Sequence, residues 1–245
     1  MANALKHLKE NNIDSFFILG EHDISNIKDQ NPVPYVYHNL GFSKHIGDGN
    51  PIEYKGVMLV GFDKIRPPEM AQNEERFSKV DKNIENFPGH RILVLHQGIT
   101  EFDKMAAEIQ STDLPKNFTY YAMGHLHPTG IKQFNHLNGP IVYPGSIELT
   151  SSEKIKDTKK GFFEVDISGK EAIPKWIELD TRPQFPLKTE YKELTKTIDE
   201  IIEKIKDCVK KPIIDLKIQG EDIEIDYIQA QIARLNSLTL KCSWG

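Results

Sequence analysis

Leu5 and Leu8 lie three residues apart on one helical face, and an apolar run over 13–19 follows them and stops at Gly20. This pattern predicts a helix feeding a strand. Short apolar runs at 57–62, 92–95, 119–123, 141–143 and 161–167, most of them bounded by Gly, Pro or polar turns, predict further strands. Residues 84–87 and 102–109 predict helical material between them. Strands separated by helices early, then strand-rich chain later, point to an α/β (α+β) fold, a two-sheet sandwich flanked by helices.

The pattern changes at 180–186, where Pro183 and Pro186 predict a break in regular structure and a boundary between domains at 1–180 and 181–245. Beyond it Ile198, Ile201, Ile202 and Ile205 recur at helical spacing. Residues 213–218 alternate as a half-buried strand, 225–235 predict a second helix and 238–242 a second strand, giving a small αβαβ module. Met1 stands one residue before a helix with neither capping residue nor leading strand, and Gly245 follows a strand directly. The expectation is a first domain incomplete at its start and a second domain open at its end.

Composition narrows the class. With 27% charged and 38% hydrophobic residues the chain is globular rather than disordered, and its 245 residues can bury a core without staples. No stretch approaches the roughly 18 apolar residues of a membrane span, and the start lacks a signal-peptide core. A cytoplasmic chain with no membrane partner is expected. Cys208 and Cys242 have neither zinc-site spacing nor further partners and read as reduced. The net charge of −5 means that any nucleic acid must be held by a local basic patch or by bound cations.

The chemistry lies at strand ends. Gly20-Glu21-His22-Asp23, Leu95-His96-Gln97-Gly98 and Gly124-His125-Leu126-His127 each close an apolar run with a histidine beside glycine. Loops after strand carboxyl ends line the functional crevice of α/β folds, so three elements converge on one rim. Extended backbone would set His125 and His127 on one face with Leu126 in the core. His7, His38, His45, His90 and His136 lack this setting and read as surface or hydrogen-bonded side chains. Imidazole with carboxylate suits manganese, zinc or iron. Paired divalent ions that clamp a phosphodiester also need a bridging carboxylate, which these turns do not supply. Asp63 and Asp103 read as structural but are carboxylates that could complete such a site. Lys154, Lys156, Lys159 and Lys160 form either a solvated loop or a weak phosphate-positioning run. Tyr120 and Tyr121 read as core or rim aromatics.

On these turns the sequence resembles the calcineurin-like metallophosphoesterases, and within them the SbcD-like DNA double-strand-break repair nucleases of the meiotic-recombination type. Gly20-Glu21-His22-Asp23 resembles the Gly-Asn-His-Asp/Glu motif, His96-Gln97-Gly98 the single-histidine motif, and Gly124-His125-Leu126-His127 the Gly-His-x-His motif. Pro144-Gly145-Ser146 and Lys160-Gly161-Phe162 resemble flanking segments, and the αβαβ tail resembles the DNA-capping domain, so the likeness covers most of the chain.

The resemblance implies a manganese-dependent DNA exo/endonuclease. Glu21, His96 and His125 would ligate one ion and His127 the other, with two ions in a complete site. His22 would assist departure of the leaving oxygen, with Asp23 orienting its ring. The implied partners are DNA, an SMC-like ABC-type ATPase and a second copy of the chain. Two departures stand out. The family's Asp-x-His and Gly-Asp-x-x-Asp motifs precede the first motif seen here, which limits the expectation to one ion in this chain. Glu21 also brings a charge where the family has a neutral asparagine. The competing readings are a catalytically incomplete scaffold for binding or dimerisation and a generic metallophosphodiesterase.

Overall fold

The computed structural model describes residues 2–24, 31–66, 69–148 and 159–245, side chains of 70–74 excepted. The chain divides into two compact units, Met1–Ser146 with Gly161–Ile177, and Ile147–Lys160 with Glu178–Gly245. Among the described residues no helix is long and apolar enough to cross a membrane.

In the first unit α1 (Ala2–Glu10) leads into β1 (Phe16–Phe17), followed by α2 (Tyr35–Asn39), β2 (Lys44–His45), β3 (Ile52–Tyr54), β4 (Val57–Phe62) and α3 (Met70–Ile84). Then come β5 (Arg91–Leu95), β6 (Tyr120–Met123), β7 (Gly130–Lys132), β8 (Ile141–Tyr143), β9 (Gly161–Asp166) and β10 (Ile173–Glu178). A six-stranded sheet has the order β3-β4-β5-β6-β8-β7. Its inner four strands are parallel, and β3 and β7 close the edges antiparallel. Alternate residues of the inner strands enter two different cores. Leu93, Leu95, Tyr121, Met123, Ile141 and Tyr143 pack with Phe77, Val80 and Ile84 of α3. Ile92, Tyr120, Ala122 and Val142 pack with Phe163 and Val165 of β9. The sheet is thus covered by a helix on one face and by strands on the other, as its continuous apolar runs require.

A parallel sheet delivers all its carboxyl ends to one edge, so the turns after β4, β5 and β6 share a rim. The turn carrying Glu21 comes from β1, which pairs parallel with β2 in a separate two-stranded sheet. Of the predicted strand 13–19 only Phe16–Phe17 is formed, because β2 offers two residues to pair with. Residues 102–109 form turns instead of the predicted helix. The Asp103 carboxylate accepts the Met105 N–H at 2.8 Å and the Ala106 N–H at 3.4 Å, a local alternative to helical bonding.

The second unit runs β11 (Gln184–Glu190), α4 (Leu194–Ile205), β12 (Ile213–Gln219), α5 (Ile225–Ala233) and β13 (Lys241–Trp244), with all three strands parallel in the order β11-β12-β13. The module is therefore βαβαβ, not αβαβ. Pro186 does not break the chain, because β11 is an edge strand, where a missing N–H is tolerated. Leu194, Ile198, Ile201 and Ile205 form the buried stripe of α4, and the free thiols Cys208 and Cys242 pack against the same core.

Ile198 is fully buried in that stripe. Ile198→Ala is expected to cost about 2–5 kcal/mol, the usual range for such a cavity. Hydrogen exchange checks it: β12 amides should lose protection while β5 amides keep theirs, and unchanged β12 protection would contradict the packing described.

Candidate metal centre

Three turns build the site. Beyond β1 the chain closes on itself: the Asp23 N–H donates to the Gly20 carbonyl at 3.1 Å, and the Gly20 N–H donates to Asp23 Oδ2 at 2.9 Å. This lifts Glu21 to the rim. After β5, His96 is followed by the fully buried Gln97, whose amide accepts the Ile65 N–H at 3.0 Å and donates to the Ile65 carbonyl at 3.2 Å. After β6 the Gly124 N–H donates to the Leu95 carbonyl at 2.8 Å, and His125 adopts a φ of 89°, in the left-handed region a non-glycine residue rarely occupies. Such strain persists only where the surroundings enforce it, and it clusters at functional sites.

Glu21, His96 and His125 come together. Glu21 Oε2 lies 2.6 Å from His96 Nε2, Glu21 Oε1 lies 3.0 Å from His125 Nδ1, and the two imidazole centroids are 5.5 Å apart. One ligand atom from each of the three falls within 4.8 Å of the others. Glycine makes the approach possible on both sides of the His96 ring. A Cβ at Gly20 would sit 2.8 Å from His96 Cε1, and one at Gly124 2.6 Å from His96 Nδ1.

The electrostatics favour a ligand set. Burial pushes the Glu21 pKa up, but a bond from its own backbone N–H and the neighbouring His96, His125 and Lys64 outweigh it, holding the carboxyl at about 2. Burial pushes His96 below its ordinary value of 6.5, with His125 and Lys64 acting the same way and Glu21 opposing. At neutral pH an ionised Glu21 carboxylate therefore faces a neutral His96 imidazole. Despite the 2.6 Å approach, Glu21 Oε2 is buried without an aligned hydrogen-bond donor. A buried anionic oxygen without a donor is costly unless a cation meets it. A carboxylate with two imidazoles therefore fits a borderline divalent cation such as manganese, zinc or iron.

The other predicted residues are placed differently. The His22 side chain is 95% exposed, with Nε2 3.8 Å from Glu21 Oε1. Asp23 engages the Gly20 amide rather than the His22 ring. His127 is exposed and stands outside the trio. The alternation that would have set it beside His125 needs extended backbone, which the positive φ of His125 interrupts. Lys159 is exposed and pairs with Glu178 at 2.8 Å, Lys160 is buried, and Lys154 and Lys156 lie outside the described residues. Tyr121 is core, its hydroxyl donating to the Pro115 carbonyl at 2.6 Å, and burial pushes its pKa up.

Sequence reasoning passed over two supports of this rim. His45 Nε2 meets both oxygens of Asp63, at 2.8 and 2.9 Å. The Lys64 ammonium donates to Glu108 Oε2 at 2.5 Å, and the same oxygen accepts the Gly98 N–H at 3.2 Å. Their partners are 18 and 44 residues apart and share no motif, so only the fold reveals them. Asp63 and Asp103 both accept backbone N–H groups and neither joins the trio.

No family model matches the chain. It is 31% identical to the DNA double-strand break repair protein Mre11 of Methanocaldococcus jannaschii over 225 residues, which cover 89% of this chain and 59% of that protein. The Mre11 protein of Sulfolobus acidocaldarius is 30% identical over 242 residues, 92% of this chain and 62% of that protein. For Thermoplasma acidophilum Mre11 the identity is 29% over 250 residues, 96% of this chain and 64% of that protein. The chain thus spans about three-fifths of the length of these relatives. Over about nine-tenths of its own length, it is similar to archaeal Mre11 DNA double-strand break repair proteins.

Proposed function

We propose that this chain carries the metal centre of a manganese-dependent DNA nuclease of double-strand-break repair. The observation that carries the reading is the Glu21, His96 and His125 trio on one rim. Glu21, His96 and His125 would hold a divalent cation, which when bound would supply Lewis-acid charge to a phosphoryl oxygen. Glu21 stays ionised through the physiological range and presents an anionic oxygen. His96 is held neutral by burial, and its ring lies close against the backbone of Gly20 and Gly124. His22, fully accessible beside Glu21, can hand a proton to a departing oxygen. Asp23 sets the turn that presents His22 and Glu21.

The finer assignments follow the family relation. His127 is the ligand for a second ion, residues 181–245 cap the DNA, and the partners are an ABC-type ATPase and a second copy of the chain. Such partners, and double-stranded DNA ends as substrate, belong to the whole protein.

Metal content separates the roles. His96→Ala and His125→Ala should lose manganese binding in calorimetric titration, because each removes a ligand already engaged in the ground state. His22→Ala should bind like the unmutated chain, yet in the whole protein it should suppress metal-dependent cleavage of end-labelled duplex, since a leaving-group acid acts mainly in the transition state. Equal metal loss in all three variants contradicts the assignment. Absence of manganese binding by the unmutated chain overturns the reading.

The same groups set a pH dependence. His96 and Glu21 both have lowered folded pKa values, so the fold releases their protons more readily than the unfolded chain does. Their stabilisation is complete above their ordinary values. It declines as pH falls below 6.5 for His96, and again from 4.5 towards 2 for Glu21. The difference in melting temperature between the unmutated chain and Glu21→Gln should therefore narrow as pH drops from 5 towards about 2. A difference that stays constant over that range contradicts the depressed carboxyl. Manganese affinity should also weaken in acid, once the lowered His96 pKa is crossed and its imidazole takes up a proton.

A further inference from the structure

Strand pairing of β1 ends at Phe17, opposite His45, yet Glu21 must be held four residues further on. Leu19 spans that gap. The Leu19 N–H donates to Asp63 Oδ1 at 2.8 Å, and the Leu19 carbonyl accepts the Lys64 N–H at 2.8 Å. Both backbone groups of this buried residue are thus fixed by the residues that follow β4.

Asp63 is itself held. His45 Nε2 faces both its oxygens, His45 Nδ1 lies 3.3 Å from the Tyr35 hydroxyl, and the His45 N–H donates to His38 Nδ1 at 3.1 Å. The Asp63 N–H donates to the Gly47 carbonyl at 2.9 Å, and a Cβ at Gly47 would fall 1.7 Å from Asp63 Oδ1. The carboxylate is therefore boxed between a histidine and a backbone that only glycine allows so near. With the side chains of His45 and Asp63 only 11% and 26% exposed, the contact is sheltered from competing water.

We propose that Asp63, oriented by His45, is a positioning residue for Glu21: by anchoring the Leu19 amide it fixes where the Glu21 carboxylate meets His96 and His125. It touches none of the three ligands. Groups bonded directly to metal ligands typically change metal affinity by about 10–100-fold when removed, and the same range is the expectation for Asp63, which acts through the Leu19 backbone. The metal readout rests on the trio being an ion site, whereas the metal-free readout does not.

The test compares Asp63→Ala with Asp63→Asn, whose amide oxygen can still accept the Leu19 N–H. Asp63→Ala should weaken manganese binding by about 10–100-fold in calorimetric titration, and Asp63→Asn should restore most of it. In the metal-free chain, Asp63→Ala should speed exchange of the Leu19 amide and shift the imidazole resonances of His96 and His125, while the Leu93 amide stays protected. Asp63→Asn should leave these signals near those of the unmutated chain. Manganese affinity unchanged in Asp63→Ala, or an asparagine variant as weak as the alanine one, overturns the proposal. If the unmutated chain binds no manganese, the nuclease reading fails separately. The metal-free signals then decide alone, and Leu19 exchange and imidazole resonances unchanged in Asp63→Ala overturn the positioning role.

Discussion

A half-buried carboxylate shared between two imidazoles is the interaction around which the described chemistry is organised. Glu21 reaches His96 at 2.6 Å and His125 at 3.0 Å from a segment that belongs to a different sheet. Removing such a charge from water is costly, so the arrangement persists only if its neighbours favour the ionised form. Here a backbone N–H, two imidazoles and the nearby Lys64 do so, and the carboxyl settles at about 2. One oxygen nevertheless lacks an aligned donor, which leaves the trio suited to a cation.

The fold meets this demand through its strand order. Parallel β4, β5 and β6 bring the residues after Phe62, Leu95 and Met123 to one edge, and hydrogen bonds then tie the turns to one another. Gln97 grips the Ile65 backbone, Glu108 joins Lys64 to the Gly98 amide, and Tyr143 donates to the Gln97 carbonyl at 2.6 Å. His96 and His125 follow directly on β5 and β6, so their spacing is inherited from the sheet, whereas Glu21 is held by the turn that Asp23 closes beyond β1.

Much of this was legible because the signals were local. An apolar run ending in glycine and histidine announces a strand and its functional turn together, which singles out Glu21, His96 and His125 along with His22, Asp23 and His127; that the first three share one ion is what the family resemblance implies. His127 was read by the period-2 rule, which assumes extended backbone, and the positive φ of His125 breaks the assumption. Residues 102–109 carry helical spacing, but Asp103 diverts the amides that a helix would use. Pro186 signals a break, yet its place on an edge strand depends on which strands pair, and that is a tertiary fact. The His45–Asp63 pair was invisible because each residue alone is ordinary and only the fold joins them.

The central claim is that Glu21, His96 and His125 form a cation site. Anomalous diffraction from crystals soaked in manganese tests it most directly. The account predicts a peak bonded to Glu21, His96 and His125 together. A well-ordered soaked crystal with no peak there, or with its strongest peak on other residues, would contradict it.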